Sequence, residues 1–290
     1  MPVFNGQKTL IAAIESILTQ TYSNFEMIII DDGSQDRSLE IIKTFSDKRI
    51  RLFTQANSGL AKTLNVGIFN SNGAFIARQD QDDISMPTRI EKQVNKFTKN
   101  TNLVLLGTRG CTINDKGEVI GKINMPIKNL DLQYISNFYN PFIHTSIMMK
   151  SIVLKQISGY SEDTQKQPPE DFELWSRMKK MGQIENLKAR LVKYRVSDNS
   201  MSRKYEEIIA INYKRIVVGN LQELFNFSEN EATVFFELQY LKHNQNNFSI
   251  KFNLLFKFMY RFILVQIKLP LFSLRVYASM VKMILRICLK

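Results

Sequence analysis

Phe25-Glu26-Met27-Ile28-Ile29-Ile30-Asp31-Asp32-Gly33-Ser34 is an apolar run that stops at two carboxylates, a glycine and a serine. A continuous run of this kind, bounded by a turn signal, reads as a strand covered on both faces, as in a parallel sheet. Gly33 permits a tight turn, and Ser34 or Asp36 can cap the helix that follows. The alternation continues on both sides. Residues 7–20 are helical in pattern, 36–45 helical, 50–53 extended, 59–69 helical and 74–77 extended. This βαβα order predicts a doubly wound α/β sheet, whose ligands bind beyond the carboxyl ends of its strands.

Both acidic clusters of this first part fall at such ends. Asp80-Gln81-Asp82-Asp83 follows the strand-like run at 74–77 and precedes a helix opened by Pro87. Three carboxylates in four residues repel one another, so the turn is either well solvated or built around a cation. A carboxylate pair at a strand end holds Mg2+ or Mn2+ by one or two oxygens while substrate phosphates complete the coordination. A diphosphate-bearing substrate is the expectation that follows. At the other cluster, a carboxylate at Asp32 can accept from a base imide N–H or a ribose hydroxyl. Neither GxGxxG nor GxxxxGK[ST] occurs among the twelve glycines, so a nucleotide has to be held mainly by carboxylates and metal. A third acidic pair, Glu170-Asp171, follows Pro168-Pro169 and opens a helical pattern at 172–178. Such a pair either complements the helix dipole or, given enough burial to offset that dipole, supplies a base.

The 290-residue chain is 44% hydrophobic, enough for one large domain, or a domain with an appendage, around a sizeable core. Cys111 and Cys288 lie far apart without metal-ligand spacing, which suggests neither a disulfide framework nor a zinc site and fits a reducing compartment. The opening residues read as the end of a strand and lack signal-peptide character, so cytoplasmic residence is expected. The net charge of +12 resembles a nucleic-acid signal until it is located: residues 248–290 hold eight basic residues and no acidic ones. Arg261, Lys268, Arg275 and Lys282 are seven apart and form one stripe on a helix whose other faces are Phe, Leu, Ile, Met and Val. That pattern suits a segment lying in the headgroup layer of an anionic membrane, peripheral on its inner face. The alternative is a helix packed on the domain or on a second subunit. No uncharged stretch approaches the roughly 20 residues that span a bilayer, and the aliphatic interleaving argues against nucleic acid. Pro270 is expected to split the segment into helices at about 250–268 and 271–288.

Between these parts, residues 102–160 read as continuing sheet and loops, with a strand at 103–107, a hairpin-like turn at 114–117 and an apolar stretch at 142–149. Residues 204–241 are helical in pattern and carry no catalytic motif. The domain expectation is therefore a catalytic unit at 1–200, a helical extension at 201–247 and a basic amphipathic tail at 248–290.

Four strings together, MPVFNGQKTLIAAIESILTQTYSNFEMIIIDDGSQDRSLEII from residue 1, QANSGLAKTLNVGI from 55, GAFIARQDQDD from 73 and PPEDFELWSRM from 168, resemble the family 2 glycosyltransferases of the GT-A fold. The resemblance covers about residues 1–200 and implies a mixed, mainly parallel sheet flanked by helices. It also implies inverting transfer of a hexosyl or N-acetylhexosaminyl group from a nucleotide-diphosphate sugar, of UDP type, with Mn2+ or Mg2+ on the diphosphate. The implied acceptor is a glycan or lipid-linked hydroxyl in surface polysaccharide synthesis. By position, Pro2, Val3 and Asn5 resemble the end of the first strand and its nucleotide-contacting loop. Asp32, or its neighbour Asp31, resembles the acid on base or ribose. Asp80 and Asp82 resemble the DxD pair, with Asp82 the direct metal ligand and Asp80 nearer the ribose. Glu170-Asp171 resembles the acidic pair that carries the catalytic base, placed on Asp171. Asn57, Lys62 and Arg78 fall close to the donor in this pattern, and His144 lies in a family-like stretch near the acceptor side, although a single histidine is more often a structural hydrogen-bonder.

The chain departs from the pattern twice. It opens at MPVFN, with fewer apolar residues in strand one than relatives carry, so a short first strand or a start further upstream is expected. Where many relatives place a histidine after YRV, this chain has Ser197, which leaves the third metal ligand unassigned. Two alternatives stand beside this reading: a nucleotidyltransferase of related architecture, which would show a glycine-rich basic phosphate loop, and an inactive glycosyltransferase-like membrane partner.

Overall fold

The computed structural model describes residues 1–163, 167–196 and 205–240. Ser197, Cys288 and the whole basic tail at 248–290 lie outside the described residues, as do the helices read within that tail. No described helix is long and apolar enough to cross a membrane.

The first part builds as its pattern predicts. Strands β1 (Pro2–Val3), β2 (Met27–Asp31) and β3 (Ile50–Thr54) form a parallel sheet in the order β1-β2-β3. Helices α1 (Leu10–Leu18) and α2 (Ser38–Lys43) connect them. The register pairs Pro2 with Ile30 and Val3 with Asp31, and it brings Asp31 level with Thr54. Strand β1 is short, as expected, and the Met1 α-amino group donates to the Ile28 carbonyl at 2.8 Å. Leu10, Ile14 and Ile17 of α1 pack with Met27 and Ile29 of β2 and Ile42 of α2 in one buried cluster. Each fully buried side chain of this size contributes roughly 1.5–3 kcal/mol.

The remaining strands form a second ladder, which corrects the expectation of a single, mainly parallel sheet. Strands β4 (Phe75–Ala77), β8 (Met148–Lys150), β6 (Leu103–Ile113), β9 (Gln183–Arg195) and β5 (Ile84–Ser85) lie side by side in that order, and β7 (Val119–Ile123) pairs with β6. Here only β6 and β9 run parallel; the other four pairings are antiparallel. Antiparallel neighbours need only a short turn, and the Asn114 turn supplies one between β6 and β7, with Gly117 at φ +81° and the Asn114 amide donating to Glu118 O at 3.1 Å. A cavity of about 660 Å3 lies between the two ladders, lined by Ile28 and Ile30 of β2 and by Phe75 and Ile76 of β4.

Helices α3 (Leu60–Phe69), α4 (Arg89–Lys99), α5 (Asn129–Ile135), α6 (Ser151–Gln156) and α7 (Glu170–Met178) cover the sheets, and a 3-10 turn at His144–Ser146 leads into β8. Ala61, Leu64 and Ile68 of α3 share one cluster with Leu105 and Ile184 of the sheet and with Leu174, Trp175 and Met178 of α7. The helical stretch read at 204–241 is two helices, α8 (Glu206–Phe225) and α9 (Glu229–Tyr240). Asn226 ends α8 in the left-handed conformation, φ 54° and ψ 39°, which asparagine tolerates at such a cap. Val217, Leu221 and Phe225 of α8 and Phe235 of α9 close over Phe172 of α7 and over Tyr134 and Phe138.

Candidate active site

Three loops meet at the carboxyl ends of β1, β2 and β4. The turn after β1 places Asn5 at φ 51°, and it is tied to the loop after β2: the Asn5 amide donates to Ser34 Oγ at 3.0 Å and the Gln35 amide to Asn5 Oδ1 at 2.8 Å. The Gln7 amide donates to Asp36 Oδ2 at 3.0 Å. Ser34 thus holds the neighbouring turn, while Asp36 does both tasks: its Oδ2 holds that turn and its Oδ1 accepts from the Ser38 amide at the start of α2 at 2.9 Å. Gly33, at φ +77°, faces the Asn57 amide so closely that a Cβ would sit 2.9 Å from it.

Asp31 and Asp32 divide the work that the sequence left open between them. Asp32 is buried and committed: Oδ1 accepts from Gln55 Nε2 at 2.7 Å and the Ser58 amide at 2.9 Å, and Oδ2 from the Gly59 amide at 3.1 Å. It therefore fixes the loop that leads into α3. Asp31, at the end of β2 and equally buried, keeps Oδ1 without a hydrogen-bond partner. Asn57 and Lys62 are exposed, on that same loop and on the first turn of α3.

The acidic loop after β4 is joined to both neighbours. Gln81 exchanges two bonds with the backbone of Phe4, accepting from its amide at 2.9 Å and donating to its carbonyl at 3.1 Å. Asp80 donates its amide to Thr145 Oγ at 3.1 Å, on the His144 turn, and its carboxylate forms a close ion pair with buried Arg78. Burial works against the Asp80 anion, but the adjoining guanidinium outweighs it and holds the carboxyl below the usual range. Asp82 is pushed up to about 6 by burial and by the charge of Asp80. Asp83, almost fully enclosed, is likewise held well above the usual range by burial and by the charges of Asp80 and Asp82, although its Oδ1 accepts from the Arg195 amide at 2.7 Å. Arg78, expected to meet the donor, is thus engaged with Asp80, while its Nε is left unbonded.

Carboxylates this close that remain reluctant to ionise together are a setting that a divalent cation relieves. Among the described residues no three His, Cys, Asp or Glu side chains converge as a metal cage. The donor set fits an ion held by one or two carboxylates of this loop, with diphosphate oxygens supplying the rest, and does not fit a fully protein-ligated one.

Opposite this loop stands the first turn of α7. Asp171 Oδ2 accepts from Asn140 Nδ2 at 2.6 Å, and Oδ1 accepts from the Phe172 amide at 2.7 Å. Glu170 is pushed up to about 7 by burial and by the charge of Asp171. His144 lies 3.8 Å from Glu170 through Nδ1 and 2.8 Å from the Tyr160 hydroxyl through Nε2, with its ring edge-on to Trp175. Burial and the nearby Arg78 lower its pKa to about 4, so the ring is neutral at pH 7. The Asp80 amide bonds Thr145 and Glu170 lies against His144, so the acidic loop after β4 and the start of α7 flank the same 144–145 turn. Arg177, chelated by Glu173, donates to the carbonyls of Ile157 and Gly159 and so sets the turn that presents Tyr160. Tyr160, Asn140, Gln81 and Arg195 were not foreseen as site residues; Gln81 lies within the acidic string, Asn140 at the start of the stretch around His144 and Arg195 in the YRV string, whereas Tyr160 carried no sequence signal.

The family profile described as glycosyl transferase family 2 matches residues 1–205. EpsE of Bacillus subtilis is 35% identical over 209 residues, which are 70% of this chain and 74% of EpsE. The O-antigen biosynthesis glycosyltransferase WbnJ of Escherichia coli is 32% identical over 243 residues, 78% of this chain and 93% of WbnJ. The crystal structure of S. aureus TarS with UDP-GlcNAc superposes with a TM-score of 0.63 at 15% identity, covering 88% of this chain and 77% of that one, a likeness of fold. With its mixed α/β architecture of GT-A type, the chain belongs to glycosyl transferase family 2 and is a glycosyltransferase.

Proposed function

We propose that this glycosyltransferase moves a sugar, with inversion, from a UDP-sugar to a hydroxyl of a glycan or lipid-linked acceptor during surface polysaccharide assembly. The observation that carries the reading is the 144–145 turn flanked by two acidic sets, the Asp80–Asp83 loop bonded to it through the Asp80 amide and Thr145, and Glu170 with Asp171 set against it through Glu170 and His144. On the donor side, the open Oδ1 of Asp31 is placed to accept a base or ribose proton, while Asp32 keeps the 55–59 loop in register beside it. Pro2, Val3 and Asn5 would form the floor of the nucleotide pocket, with Asn57 and Lys62 at its rim. Asp82, with Asp80, would hold Mn2+ or Mg2+; when bound, that ion offsets the charge that develops on the leaving diphosphate.

On the acceptor side, Asp171 takes the proton of the attacking hydroxyl. Inversion is a single in-line displacement, so it needs one base on this face and no covalent intermediate. Asn140 and the amide of Phe172 orient that carboxylate. Glu170 and neutral His144 line the same wall and exclude water from it.

The relatives support the substrate classes. WbnJ is named for O-antigen biosynthesis. WfgD of Escherichia coli, 29% identical over 72% of this chain and 80% of its own length, is named as a UDP-Glc:alpha-D-GlcNAc-diphosphoundecaprenol beta-1,3-glucosyltransferase. A lipid-linked acceptor also suits the basic stripe at 248–290 as a peripheral attachment to the inner, anionic membrane face. Membership of the family replaces the nucleotidyltransferase alternative. The test is a screen of nucleotide sugars for Mn2+-dependent thermal stabilisation, followed by transfer assays on Asp171→Asn. Stabilisation by a UDP-sugar, with binding retained and turnover lost in the variant, supports the reading; stabilisation by no nucleotide sugar, or full turnover by Asp171→Asn, overturns it.

A further inference from the structure

Arg89, at the start of α4, has 0% exposure. A buried guanidinium is costly unless every donor is met and its charge is put to use. Here all five N–H groups are spent, each on an uncharged acceptor. Nε donates to Gln93 Oε1 at 3.2 Å; Nη1 donates to Gln79 Oε1 at 3.1 Å and Ser85 Oγ at 2.8 Å; Nη2 donates to the carbonyls of Arg78 at 2.7 Å and Ile147 at 3.1 Å. Two of these acceptors, Arg78 O and Ser85 Oγ, stand on either side of Asp80-Gln81-Asp82-Asp83. A third acts from within. Because Arg89 and the Ser85 hydroxyl that Arg89 also holds both donate to the carboxamide oxygen of Gln79, the Gln79 amide nitrogen is turned toward the loop, where it donates to Asp80 O at 3.1 Å and Asp83 O at 2.8 Å. Ile147 and Gln93 extend the same grip to the other wall, since Gln93 Nε2 donates to Ser146 O at 2.9 Å, at the end of the His144 turn.

We propose that Arg89 is a positioning residue that clamps the backbone of the acidic loop from beneath, fixing how Asp80 and Asp82 are presented and how far they stand from the His144 turn. The inference rests on the donor-site reading above. A hydrophobic side chain would fill the same volume, but it would remove the bonds to Arg78 O, Ser85 Oγ and Gln93 Oε1 and leave Ile147 O and Gln79 Oε1 with only their bonds from the Arg78 amide and the Ser85 hydroxyl. A lysine keeps the charge, yet its three donors on a flexible stem cannot reproduce a planar fork that serves five acceptors.

The test uses Arg89→Lys and, because that change touches the core, also Gln79→Ala, which keeps the Arg89 guanidinium and removes the two bonds to the loop carbonyls together with the carboxamide oxygen that Arg89 and Ser85 share. Three quantities are read: the melting temperature, amide exchange of residues 79–86, and UDP affinity with and without Mn2+. Both variants are expected to melt cooperatively and exchange faster in the loop than in β2 and β6, and to bind UDP with Mn2+ about tenfold more weakly, the loss usual for removing a group that orients metal-binding carboxylates. Metal-free UDP binding is expected to be unchanged. If either variant folds with loop exchange and Mn2+-dependent affinity equal to the parent, Arg89 is packing alone and the proposal fails. Should the parent chain bind no UDP with Mn2+, the donor reading falls by itself, and loop exchange alone then decides the clamp.

Discussion

Glu170 and Asp171 are chain neighbours in unequal surroundings. Asp171 has both oxygens met by N–H donors, whereas Glu170 is enclosed beside it and raised from its ordinary 4.5 to about 7. An acid whose folded-state pKa is raised takes up a proton on folding between these two values, so stability is greatest at the low end and falls as pH rises through 7. Glu170→Gln abolishes that cost. It is expected to match the parent in stability near pH 4 and to exceed it at pH 8 by up to roughly 3 kcal/mol in urea unfolding; equal stability at both pH values would show Glu170 to be solvated. Asp82→Ala should abolish the Mn2+ dependence of UDP binding while leaving the melting temperature of the free protein unchanged or slightly higher, because a reluctant carboxylate is removed. Calorimetry with and without Mn2+ checks this. The acids themselves were legible, since strings such as GAFIARQDQDD and PPEDFELWSRM mark them. Their partners were not. That Asp32 is saturated by a loop 23 to 27 residues away, or that Tyr160 meets His144, depends on packing between distant segments that no local spacing encodes.

At the scale of elements, the misread pieces share a cause. Strand β6 was expected to stop near Gly107, yet it continues to Ile113 because glycine is what the site demands: a Cβ there would sit 2.1 Å from Asn186 Oδ1 and 2.8 Å from Phe142 Cδ1. Its partner β9 went unread because polar residues interrupt its apolar ones and the register with β6 shifts twice around Arg109. Helices α8 and α9 were read as one stretch, although Ser228 and Glu231 form the start signal of a new helix, with the Ser228 amide 3.0 Å from Glu231 Oε2 and the Glu231 amide 3.3 Å from Ser228 Oγ. These two helices roof Phe172 of α7 and so back the acidic pair. Phe235→Ala, at a 1% exposed position of that roof, should lower stability by about 3 kcal/mol in urea unfolding. It is expected to reduce turnover more than UDP affinity, since α7 and not the β4 loop loses its support; an unaltered unfolding midpoint would mean that the roof is loosely packed.

For the molecule as a whole, composition placed the charge excess before any coordinates did. Eight basic residues at 248–290 have no acidic counterpart in that segment. Deleting residues 248–290 should release the protein from vesicles containing anionic lipid, and the parent's binding should weaken as salt rises from about 0.05 to 0.5 M, as screening requires. Sedimentation with such vesicles checks this; a truncated chain that still sediments would put the attachment elsewhere.

The two strand ladders are separate sheets: the turns after β1 and β2 stand on one, while the Asp80–Asp83 loop and the His144 wall stand on the other. Side chains such as Gln81 stitch them together. Under the proposed function, such a seam divides the turns that would read the nucleotide base from the half that carries the metal-binding loop and the acceptor wall, so recombination at the join would exchange acceptors together with that loop.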